Sequence, residues 1–101
     1  MDADKVVFRR WRDCGSIIAL FPEIPADIFG VYCEGYEHIG QHGGADYWGV
    51  IQATVPTKLH EADDLAEELT RIGYDLRPMQ RASHHHHDKR RQAAKEVADT
   101  G

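Results

Sequence analysis

The sequence predicts an α+β domain: an antiparallel sheet of four to five strands, one amphipathic helix packed on one face, and a flexible C-terminal tail. Three observations predict it. Short runs of β-branched and aromatic residues, punctuated by glycine and proline, recur through the first half of the chain. One segment, Leu59 to Ile72, carries apolar residues at helical spacing. The stretch 82–101 has Val97 as its only large aliphatic residue and lacks the material for a core of its own. The 101 residues suit one modest core, placed at 1–81 with the tail at 82–101.

The first element is Lys5 to Trp11. Alternation there puts Val6, Phe8 and Arg10 on one side and Val7, Arg9 and Trp11 on the other. Arg12-Asp13-Cys14-Gly15 has the composition of a tight turn, and Ser16 to Phe21 suits a central strand, so the two runs form a hairpin. Pro22 and Pro25 cannot donate to a ladder and are expected to end it. Ile28 to Cys33 is read as a third strand with a bulge at Gly30, and Tyr47 to Val55 as a fourth, closed by Pro56. Between them, Gly40, Gly43, Gly44 and Gly49 crowd a segment with His38, His42, Asp46, Tyr47 and Trp48, which reads as a sharply turned aromatic loop.

Thr57 is the expected N-cap of the helix and Gly73 its left-handed stop. On a wheel of about 100° per residue, Leu59, Ala62, Leu65, Ala66, Leu69 and Ile72 fall within an arc of about 140°. Glu61, Asp63, Asp64, Glu67 and Glu68 fall on an arc of about 160° elsewhere on the wheel, as an acidic face. Tyr74 to Arg81 is read as a last strand, with Pro78 pointing to a sheet edge. In the tail, Asp88 to Asp99 could form at most a frayed helix, and the His84–His87 run is a weak chelator of divalent metal.

Charge narrows the function classes. Residues 1–81 hold eight Lys/Arg against fourteen Asp/Glu, so the domain is acidic and disfavours nonspecific attraction to nucleic acid or anionic lipid. No apolar run approaches the roughly 18–20 residues of a membrane span, and no secretory leader is visible at the start, so a cytoplasmic protein with reduced Cys14 and Cys33 is expected.

Four constellations compete for function. His38, His42 and Asp46 have i, i+4, i+8 spacing and could hold a metal on a helix, but the intervening glycines oppose a helix there. Cys33 with His38 or His42 and Asp46 supplies the parts of a thiol nucleophile and its base. Arg9 to Arg12, around Trp11, could track a phosphate backbone, against the sign of the domain. The fourth is the acidic helix face, whose Glu61, Asp64, Glu67 and Glu68 suit a basic protein groove.

F-R-R-W, I-I-A-L-F-P-E-I-P-A-D, G-V-Y-C, H-I-G-Q-H-G-G-A-D-Y and I-G-Y-D-L together span roughly residues 6–77. In these the chain resembles a group of small, largely uncharacterised proteins carried by bacteria and their phages and plasmids. The resemblance implies a setting in which short acidic proteins bind host machinery, defence systems included; it implies no catalytic residues. The expectation is therefore a noncatalytic, cofactor-free binding protein with a protein partner, in its sharpest form an inhibitor of a nucleic-acid-handling defence complex. Glu61, Asp64, Glu67 and Glu68 would form one contact surface, and His42, Tyr47 and Trp48 another.

Overall fold

A computed structural model describes residues 3–37, 41–58 and 60–100. The architecture is α+β. In chain order the elements are β1 (Asp4–Trp11), β2 (Ile17–Pro25), β3 (Cys33–Glu37), β4 (Gln41–Ala45), α1 (Tyr47–Ala53), β5 (Thr54–Pro56), α2 (Asp63–Ile72), β6 (Leu76–Pro78) and α3 (His84–Thr100).

The sheet runs β4-β3-β2-β1-β5 with every one of those neighbours antiparallel. The remaining strand, β6, pairs in parallel with the start of β1, from Asp4↔Leu76 to Val6↔Pro78. The β1–β2 hairpin follows the expected alternation. Val7 joins a core with Ile18, Leu20, Cys33, Tyr47 and Val50 on one face of the sheet. Val6 joins Ala19, Phe21, Tyr36, Leu65 and Leu69 on the other. Thus α1 covers the first face and α2 the second.

The prolines do not end β2. The strand runs through Pro22 to Pro25, and the register slips between Phe21↔Glu34 and Pro25↔Cys33. The register shift accommodates Pro22, which has no donor, and the Pro22 carbonyl accepts from Arg90 at 2.9 Å. Ile28 to Tyr32 is consequently a loop rather than a strand, and β3 begins only at Cys33. The glycine-rich segment supplies an edge strand instead of an open loop, with Gly43 and Gly44 lying opposite Gly35 and Glu34.

Tyr47 to Ala53 is helical, contrary to the strand expected there. Helical spacing turns Tyr47, Val50 and Ile51 toward the first core, and only the last three residues, Thr54–Pro56, extend along β1. In α2 the apolar stripe packs as expected through Leu65 and Leu69, and Leu59 lies outside the described residues. The helix starts at Asp63 rather than after Thr57, because His60 turns the chain at φ 67 and Glu61 accepts from the Lys58 N–H at 2.8 Å. Gly73 stops it at φ 126, donating to Leu69 and Thr70 carbonyls.

The chain after Ala82 is a helix laid across β2 on the α1 side, not a loose tail. His87, Arg90 and Ala94, at i, i+3 and i+7, form its buried stripe. That stripe is mostly polar and carries no hydrophobic periodicity.

Candidate binding surface

The acidic helix face is less uniform than its spacing suggests. Glu61 lies in the turn before α2, ion-paired with Arg10 at 3.2 Å. Glu68 is half-buried, whereas Asp64 and Glu67 are exposed. Glu61 and Asp64 line a groove of about 450 Å³ with Glu37, Ile17 and Leu65, so carboxylates there alternate with an apolar floor.

The second expected surface divides. Trp48 is half-exposed, but Tyr47 is buried, and its hydroxyl accepts from the Ala82 N–H at 2.7 Å. Tyr47 is therefore a core residue that ties the start of the C-terminal segment to α1. The His42 backbone pairs with Tyr36 in β4, while the His42 side chain and all of His38 lie outside the described residues. Asp46 is exposed just before α1, and among the described residues no three His, Cys, Asp or Glu side chains gather as a metal-holding group. Cys33 is fully buried, and desolvation pushes its thiol up to about 11, so it carries almost no thiolate near neutrality.

Two of the three arginines in the run, Arg9 and Arg10, are engaged within the fold. Alternation along β1 sends Arg9 and Arg10 to opposite faces. Arg9 is buried, donating to Thr54 Oγ1 at 2.9 Å and to the Thr54 and Ile51 carbonyls at 3.0 and 3.2 Å. Arg10 faces Glu61, and the Trp11 indole donates to Glu37 Oε1 at 3.2 Å. Arg9 and Arg10 therefore share no face, and Arg12 is the exposed member of the run, donating to the Thr54 carbonyl at 3.4 Å.

A different surface stands out. Between β2 and β3, Ile28, Phe29, Val31 and Tyr32 are 75%, 74%, 58% and 47% exposed, around a buried Gly30. Four large apolar side chains in five residues form a patch that a lone soluble domain seldom leaves uncovered. The loop is closed on itself: the Tyr32 N–H donates to Asp27 Oδ1 at 2.9 Å, and the Ala26 N–H to the Tyr32 carbonyl at 2.9 Å. It is also fastened to α3. The guanidinium of Arg90, itself buried, donates through Nε to the Gly30 carbonyl at 2.8 Å, through Nη1 to Pro22 at 2.9 Å and through Nη2 to Val31 at 3.3 Å.

Gly30 has φ 71, and a Cβ there would come within 2.9 Å of Arg91 Cα, so glycine is required both by conformation and by contact. Beside the loop, Pro25, Ala26, Ile28, Ala94 and Val97 border a cleft of about 350 Å³. The chain matches no protein-family model, curated protein or solved structure.

Neither the loop nor its anchor stands out in the sequence. An apolar run after two prolines reads as a strand, and the one available clue was Gly30 breaking the alternation. Arg90 sits in a charged stretch indistinguishable from solvated surface until its carbonyl partners, about sixty positions away, are known.

Proposed function

We propose that this chain is a noncatalytic binding protein whose Ile28–Tyr32 loop inserts its apolar side chains into a groove on a protein partner. The observation that carries this is the combination of exposure and fixation: Ile28 and Phe29 project from a backbone already held by Arg90 and Asp27. A preformed loop loses little conformational entropy on docking, which is the economy of a binding hot spot. Cys33, buried and held as a thiol, argues against the hydrolytic alternative.

The test compares capture by the native chain with capture by Phe29→Ser and by the pair Asp64→Lys/Glu67→Lys. Loss with Phe29→Ser and retention with the lysine pair supports the loop. Capture indifferent to Phe29→Ser sinks it, and self-association abolished by the same change would reassign the loop to a homodimer contact.

A second reading keeps the acidic groove as the contact. Its Ile17 and Leu65 floor beneath Glu37 and Asp64 suits the stem and head of a lysine or arginine. The partner would then be a basic protein, such as a nucleic-acid-handling defence complex of the kind the sequence resemblance implies. That reading predicts the reverse pattern, with capture lost in the lysine pair alone.

A further inference from the structure

His87 is the one buried imidazole among the described residues, and its surroundings fix its protonation. Its Nδ1 lies 2.7 Å from Arg90 Nη1. A guanidinium has donors only, so Nδ1 must be the acceptor and the ring a neutral Nε2–H tautomer. Its rings of contact are Tyr47, at 4.8 Å between centroids, and Trp48, at 5.3 Å, both from α1. From α3 itself it meets Arg90, Arg91, His84 and His86, all of which oppose a second proton. The acids and thiol of the neighbouring elements, Asp27, Asp46 and Cys33, act on Arg90. Glu23 of β2 is taken by His86 at 2.7 Å, with Lys5 and Lys89 alongside.

We infer that His87 and Arg90 form a proton-sensitive clasp. While His87 is neutral, Arg90 can hold the carbonyls of Pro22, Gly30 and Val31 and so keep the apolar loop in one shape. When His87 gains a proton, two donors face each other at hydrogen-bond distance, and α3 releases from β2 together with the loop. As a regulatory device this rests on the loop being the binding surface; as a conformational event it does not.

The direction follows from linkage. Burial first, then the adjacent Arg90, lowers the His87 pKa from its ordinary 6.5. The released state thus binds more protons than the docked one just below pH 6.5, so docking is complete above that value and weakens as pH falls through it.

The experiment is hydrogen–deuterium exchange of the full chain at pH 8.0 and 5.5, corrected for intrinsic exchange. Amides of residues 84–97 and 26–32 should exchange faster at the lower pH, approaching about tenfold for one pH unit below the free imidazole value. In His87→Asn the side-chain oxygen can still accept from Arg90 but cannot titrate, and the pH response of both segments should disappear. An unchanged exchange rate in the native chain overturns the clasp, as does a full response in His87→Asn. If the variant does not fold, nitrogen NMR of the native imidazole decides: a bare Nδ1 titrating below 6.5 supports the clasp, and a protonated Nδ1 at pH 8 refutes it. Capture unaffected by Phe29→Ser would remove the binding role while leaving these exchange results standing.

Discussion

Replacing Gly30 with alanine tests how firmly the loop sits on α3. The added Cβ meets two separate penalties. At φ 71 an L-residue is in left-handed space, which costs about 1–2 kcal/mol. The Cβ would also lie 2.9 Å from Arg91 Cα and 3.1 Å from the Arg90 carbonyl oxygen, both backbone, and forcing such a contact typically costs about 1–3 kcal/mol. Gly30→Ala should therefore destabilise the protein by about 3 kcal/mol, a sizeable part of an ordinary domain's stability. Gly15 provides the control, because it has nearly the same φ of 76 with nothing within 4 Å of its Cβ position. Gly15→Ala should show the conformational penalty alone, about 1 kcal/mol. Urea unfolding of both variants isolates the contact, since slopes of about 1–3 kcal/mol/M turn a difference of about 2 kcal/mol into a midpoint gap of roughly 0.7–2 M. Equal midpoints for the two variants would mean that Gly30 does not press against α3, and the seated-loop reasoning would fail.

Arg90→Ala should cost about 3–5 kcal/mol in the same assay, because it strands three carbonyls that now receive a charged donor, and Arg90→Lys should recover only part of that loss. A thiol reagent at neutral pH should modify exposed Cys14 quickly and leave Cys33, with its pKa near 11, unmodified until urea is added; two fast equivalents would contradict the burial. Glu23 is held below its ordinary carboxyl value: burial opposes the shift, but the bond to His86 and the charges of Lys5 and Lys89 outweigh it. Its stabilisation is present above about pH 4.5 and fades as pH falls through the lower folded value, so Glu23→Gln should flatten the acid limb of a stability–pH curve.

The parts of the fold that were legible in the sequence are those whose burial is made by aliphatic side chains at regular spacing. Leu65 and Leu69 declared α2, and Val6, Val7 and the Ile17–Phe21 run declared the hairpin. Tyr47–Ala53 misled because tyrosine, tryptophan and valine favour strands by local preference, whereas packing of Tyr47 and Val50 against the sheet decided for helix. The edge strand β4 was hidden by Gly43 and Gly44, which leave no side chains to alternate. At Gly35 a Cβ would come within 3.2 Å of Ala45 Cβ, so glycine there permits close strand approach. The α3 stripe was illegible for a different reason: hydrophobic periodicity cannot register a buried arginine satisfied by distant carbonyls. Helical spacing alone also could not show that Glu61 answers Arg10 while Asp64 and Glu67 stay exposed.

The outer edge of β1 is completed by two short pieces of chain, Thr54–Pro56 and Leu76–Pro78, pairing with its opposite ends. During synthesis the first hairpin can assemble early, but one end of that edge stays open until about fifty further residues have emerged. A nascent chain halted before Leu76 would thus display unpaired backbone groups along Asp4 to Val6, a template for sticking to other chains. Closure by β6 comes immediately before α3 is made, so the last third of the protein both shields the first strand and seats the apolar loop.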